Sequence, residues 1–149
     1  MNRDKVMEQL KIDEGVVYEI YLDHLGYPTF GIGHLILDHD PEHGLMIGDG
    51  VSEERVKEAF YRDFEIALTE CKMLYDCWDN FPDEVQEVLI NMMFNLGSPR
   101  LSGFKKMNAA LASGDLETAA IEGRDSRWYV QVGDRAERLM TRLEVCSKH

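Results

Sequence analysis

The chain has 149 residues, 44% of them hydrophobic, so it can form a globular domain with its own core and needs no disulfide or metal to fold. Sixteen Lys and Arg against 28 Asp and Glu give a formal net charge of −12, and we expect such a chain to repel nucleic acid and anionic membrane surfaces. We expect no membrane span and no export signal, because no segment has the apolar run that either requires.

The first third of the chain predicts one helix followed by a small sheet. Asn2 or Asp4 can cap a helix that ends at Gly15. Residues 16–37 are rich in strand-forming side chains and punctuated by glycines, which predicts a twisted antiparallel hairpin or meander. Residues 38–50 contain charges, a proline and three glycines, and are predicted to be loop.

The rest of the chain has helical periodicity. Ser52 caps a long predicted helix, and a broadly apolar helix begins at Pro82 and ends at Gly97. Shorter helices follow at about 104–112, 116–122, 126–130 and 134–146. The predicted fold is α+β in a single domain, 1–149. A sheet lobe, about 15–50, and a larger helical lobe, about 52–149 plus the N-terminal helix, are joined by the long helix and enclose a cleft.

Cysteine and histidine patterns argue against covalent or metal cross-links. Cys71, Cys77 and Cys146 are odd in number, which does not suit a complete disulfide framework. If residues 71 and 77 share one helix, their Cα atoms are about 9 Å apart, too far for a bridge. Reduced thiols suggest synthesis in a reducing cytoplasm. The five histidines show no metal-ligand spacing, so we expect no metal site and no cofactor.

Glu14 is a candidate general acid. It continues the apolar stripe of Val6, Met7 and Leu10, and it lies in the last turn of the first helix. Apolar surroundings and the negative end of the helix dipole both favour the protonated carboxyl, as a proton donor requires. The alternative is a solvated glutamate at a frayed helix end.

Asp23 is a second candidate carboxylate, at the end of the predicted strand 17–22. The alternative is ordinary turn chemistry, which aspartate favours at such positions. A helix end and a strand end joined by a few residues can face each other, and two facing carboxyls can hydrolyse a glycosidic bond. Among 28 acidic residues this spacing is weak evidence by itself.

A longer string of motifs resembles the tailed-phage lysozymes (endolysins) of glycoside hydrolase family 24, and most closely the lysozymes of T-even phages. The pattern Glu-x8-Asp-x5-Thr is that family's catalytic spacing, represented here by Glu14, Asp23 and Thr29. The resemblance covers nearly the whole chain, through segments 12–15, 20–23, 26–35, 90–97, 103–104, 126–129 and 135–138.

The resemblance implies roles for these three residues. Glu14 would donate the proton to the leaving oxygen. Asp23 would position or activate a water on the opposite face of the sugar, and Thr29 would help to hold that water. Members of this type invert the anomeric centre, which implies carboxyls about 6.5–9.5 Å apart.

The resemblance implies supporting residues as well. Leu35 and Phe94 fall where the family lines its saccharide cleft, with core packing as the alternative for each. His34 would pair with Asp63 in a structural contact, and Arg135 would lie against the catalytic glutamate.

Two features depart from the family pattern. Cleft positions that are polar in the family fall at Met107 and Glu122, so the resemblance does not predict sugar contacts there. This chain is strongly acidic, whereas the T-even phage lysozyme that it resembles is basic. We therefore expect weaker long-range electrostatic attraction between this chain and anionic peptidoglycan.

The implied function is that of a monomeric endolysin, acting without nucleic-acid or stable membrane contacts. It would hydrolyse the β-1,4 bond between N-acetylmuramic acid and N-acetylglucosamine in bacterial peptidoglycan. It would be made in the host cytoplasm and reach the periplasmic wall through a phage holin, causing host lysis. Three alternatives stay open: a wall-binding module without catalysis, a lytic transglycosylase, and a structural component such as an acidic baseplate protein.

Overall fold

The computed structural model describes all 149 residues and combines eight α-helices with one three-stranded antiparallel sheet. The helices are α1 (Arg3–Glu14), α2 (Glu53–Leu74), α3 (Asp83–Leu96), α4 (Ser98–Ser102), α5 (Lys105–Ala112), α6 (Leu116–Arg124), α7 (Arg127–Val132) and α8 (Asp134–Cys146). The strands are β1 (Val17–Leu22), β2 (Pro28–Gly31) and β3 (His34–Leu35). This architecture confirms the predicted α+β fold class.

Most helix boundaries follow the sequence signals. The hydroxyl of Ser52 accepts a hydrogen bond from the Arg55 amide at 3.1 Å, which caps α2 as predicted. Gly97 ends α3 with φ of +78°, a conformation that glycine adopts without strain. Two short elements were not predicted, α4 and a 3-10 helix at Trp78–Asn80.

The assignment of two cysteines to one helix is wrong. Helix α2 ends at Leu74, so Cys77 lies beyond the helix that contains Cys71. All three cysteines are nevertheless free thiols, as expected. Burial raises the pKa of the Cys71 thiol to about 12, which keeps this sulfur protonated and unreactive.

The chain divides into two compact units, and the division falls within α2. Residues 3–66 form one unit, here called the sheet unit, and residues 1–2 with 67–149 form the helical unit. This grouping puts the N-terminal helix with the sheet, whereas the sequence pattern placed that helix with the helical lobe. Side chains of α1 are tied to the first half of α2, where Arg3 pairs with Glu65 and lies 4.9 Å from the ring centre of Phe64.

The sheet unit is built on a meander in the order β1-β2-β3. Tyr21 pairs with Thr29, and Thr29 pairs in turn with Leu35. The segment after β3 returns along β1, where the Ile20 amide donates to the Asp49 carbonyl at 2.9 Å. Phe30, Phe60 and Phe64 are fully buried in this unit.

The helical unit is organised around α3, as the apolar sequence of that helix predicted. Nine of its 14 residues are buried, and it packs against α4 and α8. Helices α6 and α8 approach closely at Gly123, where a β-carbon would lie 2.2 Å from the sulfur of Met140. None of the helices is long and apolar enough to cross a membrane.

Candidate active site

The carboxylate of Glu14 lies at the end of α1 against the turn between β2 and β3. A β-carbon on Gly33 would lie 3.7 Å from Glu14 Oε2 and 3.9 Å from its Cδ. Gly33 has φ of +65°, so the tight turn requires this residue type and leaves the side of the turn open to the carboxylate. Glu14 is half-buried, as its place on the apolar stripe of α1 predicted.

Asp23 closes the hairpin between β1 and β2 and is held by backbone amides. Its Oδ1 accepts hydrogen bonds from the amides of Leu25 and Tyr27, both at 2.9 Å. Its own amide donates to the Tyr27 carbonyl at 2.9 Å. The second oxygen, Oδ2, receives no hydrogen bond from the chain, so the carboxylate is fixed through one oxygen and open through the other.

Thr29, like Asp23, is hydrogen-bonded to the backbone of Tyr27. Its hydroxyl donates to the Tyr27 carbonyl at 2.9 Å, and the residue is only 3% exposed. The hydroxyl proton is thereby committed, while the oxygen lone pairs can accept. Tyr27 therefore fixes the two side chains relative to each other through its backbone.

Strand register places three side chains in one row across the sheet. Tyr21, Thr29 and Leu35 are successive cross-strand partners on β1, β2 and β3. Directly paired residues of an antiparallel sheet project from the same face, with Cβ atoms about 4.5–5.5 Å apart. Leu35 is 44% exposed at one end of this row, so it is a surface side chain and not a core residue.

Tyr21 was not singled out from the sequence. Partial burial and the charges of Glu14 and Asp23 raise the pKa of its phenol above the ordinary value of 10.0. Both carboxylates are therefore close enough to act on the same side chain. The sequence offered one signal for Tyr21. It precedes Asp23 by two positions, and residues two apart along a strand project from the same face.

His34 lies in a buried ion cluster with two carboxylates. Its Nδ1 is 2.7 Å from Asp63 Oδ2, which matches the predicted pair, and its Nε2 is 2.9 Å from Asp40 Oδ2. Burial alone would lower the pKa of His34, but hydrogen bonds and charges from Asp63 and Asp40 raise it above 6.5. The contact with Asp40 was missed, because no local pattern distinguishes this aspartate from its neighbours in the loop.

The same cluster anchors the loop that follows β3. Arg55 on α2 donates to Asp40 Oδ1 at 3.2 Å and to both oxygens of Glu42, at 2.8 and 3.0 Å. Asp40 and Glu42 are 5% and 7% exposed, so these are buried ion pairs. The loop is thus fixed to α2 beneath the strand that carries Leu35.

Two of the predicted site residues belong to the helical unit. Phe94 is half-buried on α3. Arg135 on α8 donates from Nε to Asn91 Oδ1 at 2.9 Å, and Asn91 is 2% exposed. The sequence did not identify this partner, and the expected role of Arg135 beside the catalytic glutamate stays a prediction.

Met107 and Glu122, the two departures from the family pattern, line one pocket of about 400 Å³ in the helical unit. Met107 is 1% exposed, so its side chain contributes mainly to the core. A separate cavity of about 610 Å³ contains none of the candidate residues. No three His, Cys, Asp or Glu side chains are grouped to hold a metal ion.

Comparison with known proteins places this chain in a family. Residues 11–144 match the family described as phage lysozyme. The chain is 31% identical to the pre-baseplate central spike protein Gp5 of Enterobacteria phage T4, over 89% of this chain and 26% of that protein. It is 29% identical to probable T4-type lysozyme 2 of Dictyostelium discoideum, over 92% of each chain.

A third relative, probable T4-type lysozyme 1 of Dictyostelium discoideum, is 27% identical over 93% of each chain. The chain thus spans about a quarter of the spike protein but nearly all of both lysozymes. Since the family match covers most of the sequence and includes Glu14, Asp23 and Thr29, the chain belongs to the phage lysozyme family of glycoside hydrolases.

Proposed function

We propose that this chain is an endolysin that hydrolyses the β-1,4 bond between N-acetylmuramic acid and N-acetylglucosamine in bacterial peptidoglycan. The observation that carries the proposal is the hydrogen bonding of both Asp23 and Thr29 to the backbone of Tyr27, in a chain of the phage lysozyme family. This arrangement suits a fixed water-binding pair, because each side chain keeps a free acceptor beside the other.

Glu14 is the proton donor in this mechanism. The carboxylic acid protonates the oxygen that leaves the anomeric carbon as the glycosidic bond breaks. Its place at the end of α1, beside the glycine turn at Gly33, positions the carboxyl before substrate binds. Holding an acid in place in this way removes part of the entropic barrier to proton transfer.

Asp23 and Thr29 hold the nucleophilic water. The open Oδ2 of Asp23 and the lone pairs of Thr29 Oγ1 each accept one of the two water protons. The water lone pair is then directed at the anomeric carbon on the face opposite the leaving group. As the new C–O bond forms, the water proton passes to Asp23, and the proton lost by Glu14 is on the leaving sugar.

This use of a bound water makes the reaction inverting. A water between the second carboxylate and the sugar requires the carboxyls to be about 6.5–9.5 Å apart, whereas direct attack by a carboxylate requires about 5–5.5 Å. The product is therefore an α-anomeric reducing sugar at first release, which proton NMR of a fresh digest detects before mutarotation.

The proposed biological role is host lysis at the end of a phage cycle. The chain would accumulate in the host cytoplasm as a monomer and reach the periplasmic wall through a holin. The similarity to two whole-chain T4-type lysozymes supports action as a free enzyme.

A second candidate is a wall-cleaving component of a phage particle. The 31% identity to a pre-baseplate central spike protein supports it. Recovery of this chain from washed particles of its phage would favour the second candidate, and recovery only from the lysate supernatant would favour the free endolysin.

Replacing Glu14 by Gln tests the proposed chemistry. We expect wild type to clear permeabilised Gram-negative cells and Glu14→Gln to lose about 10²–10⁴-fold in rate, because the amide cannot donate an acidic proton. Glu8→Gln, an equal charge change on the exposed face of α1, should clear cells like wild type.

Mass spectrometry of the released fragments identifies the reaction. Hydrolysis gives reducing muramic ends, whereas a lytic transglycosylase gives anhydro ends that are lighter by one water. Equal clearing by wild type and Glu14→Gln would overturn the role of Glu14. Wall binding without clearing by wild type would favour a binding module.

A further inference from the structure

Tyr21 occupies the end of the sheet row that also contains the proposed water-holding residue. It is the direct cross-strand partner of Thr29, and it precedes Asp23 by two positions. The charges of both Glu14 and Asp23 act on its phenol. Tyr21 is thus close to all three proposed catalytic residues, Glu14, Asp23 and Thr29.

The Tyr21 hydroxyl makes no hydrogen bond with any group of the chain, and it is accessible to solvent although the residue as a whole is half-buried. Tyr75 and Tyr129 show the more usual situation, since their hydroxyls donate to Asn108 at 2.7 Å and Glu137 at 2.5 Å. The Tyr21 hydroxyl is therefore available to a ligand, and an acceptor oxygen of that ligand can replace the solvent at this position.

The environment keeps this hydroxyl in its donor form. Burial and two neighbouring carboxylates disfavour the phenolate, so the neutral phenol persists throughout the range in which the enzyme would work. A neutral phenol can donate one hydrogen bond. An acceptor oxygen on an uncharged sugar suits it, while a further anion beside the two carboxylates does not.

We infer that Tyr21 is a substrate-binding residue whose hydroxyl donates a hydrogen bond to an oxygen of the glycan strand, at the sugar held beside Asp23 and Thr29. This inference rests on the proposed function. The sugar would lie over the row of Tyr21, Thr29 and Leu35, with the phenol at one end and the exposed leucine at the other.

Tyr21→Phe tests the inference because it removes one oxygen and keeps the ring beside Thr29. We expect kcat/KM on soluble glycan strands to fall about three- to tenfold, the usual effect of one lost neutral hydrogen bond. The Tm should stay at the wild-type value, since the hydroxyl has no partner in the chain. Tyr18→Phe is the matched control on β1, and it should leave kcat/KM and Tm unchanged.

Binding measurements in a Glu14→Gln background separate this inference from the proposed chemistry. We expect the added Tyr21→Phe change to raise the Kd for a defined glycan fragment by a similar factor, and Tyr18→Phe to leave it unchanged. If wild type cleaves glycan while Tyr21→Phe matches it in kcat/KM and Kd, only the inference fails. If wild type neither cleaves nor binds glycan, the proposed function fails and the inference fails with it.

Discussion

At the scale of single residues, the candidate site depends on the backbone of one residue, Tyr27. The Tyr27 amide and carbonyl hold Asp23, and the same carbonyl accepts from Thr29. Two side chains six positions apart are thereby fixed relative to each other without any direct contact. Preorganisation of this kind lowers the reorganisation needed when a water and a sugar bind.

Asp23→Asn separates the structural and chemical parts of this arrangement. The amide oxygen can still accept from Leu25 and Tyr27, so we expect the free energy of unfolding to change by less than about 1 kcal/mol. The negative charge is lost, and we expect the rate of glycan hydrolysis to fall about 10²–10⁴-fold. Chemical denaturation and initial rates measure the two effects.

Asp49→Asn is the matched control for that substitution. Asp49 Oδ2 accepts from the Met46 amide at 2.8 Å, so it holds a turn in the same way but lies outside the proposed site. We expect wild-type rates from this variant. A rate for Asp23→Asn within twofold of wild type would contradict the role of Asp23 in holding the water.

At the scale of elements, a buried ion cluster connects β3, the following loop and α2. His34 contacts Asp63 and Asp40, while Arg55 contacts Asp40 and Glu42. Buried charges are costly to leave unpaired, so the cluster is a set of mutually dependent contacts. Its hydrogen bonds connect the strand that carries Leu35 to the loop and to α2, and a purely supporting role for His34 stays a prediction.

The cluster predicts a specific pH dependence of stability. The pKa of His34 is raised in the folded state, so its contribution is complete below 6.5 and is lost as pH rises through the raised value. Burial opposes ionisation of Asp40, but hydrogen bonds from Leu37 and His34 and the charge of Arg55 lower its pKa below 3.8. Its contribution is complete above 3.8 and is lost as pH falls through the lowered value.

We therefore expect His34→Asn to destabilise the protein most at about pH 5–6, by about 3 kcal/mol, with a smaller effect above the raised pKa. Urea denaturation across pH measures this difference. His43→Asn is the control, because His43 pairs with Asp38 only on the surface, at 3.2 Å, and should show almost no effect. A pH-independent loss for His34→Asn would refute the linkage.

At the scale of the whole molecule, the negative charge is unevenly distributed. The sheet unit contains 15 acidic and 6 basic residues, a net formal charge of −9, while the helical unit contains 13 and 10, a net charge of −3. The proposed catalytic carboxylates belong to the more negative unit. The net negative charge of that unit repels an anionic polymer at long range, before the polymer can reach the site.

We expect activity on peptidoglycan to rise when salt is increased from about 10 mM to about 150 mM, because the Debye length falls from about 30 Å to about 8 Å. Divalent cations should act at lower concentration. An uncharged chitooligosaccharide is the control substrate, and its turnover should be almost independent of salt. Activity on peptidoglycan that falls steadily with salt would imply attraction and contradict this prediction.

Local sequence signals predicted most of the elements. Helical periodicity predicted residues 53–74 and 83–96, and the capping signals were Ser52 for the first helix and Gly97 for the second. Each signal involves residues only a few positions apart along the chain, so near-neighbour interactions determine where these helices begin and end. The glycine-punctuated run 16–37 likewise became a three-stranded meander. The short helix α4 was missed because five residues are too few to show a helical period.

The sequence by itself determined the α+β class, most of the helix boundaries and the identity of Glu14, Asp23 and Thr29 as candidates, while the pair of His34 with Asp63 was implied by the family resemblance. Only the tertiary structure decided that Tyr21 shares a row with Thr29 and Leu35, that Asp40 joins His34, and that α1 belongs to the sheet unit. The physical reason is range: caps and periodicity act within one or two turns of chain, whereas strand register and buried ion pairs bring together residues whose partners no local pattern specifies.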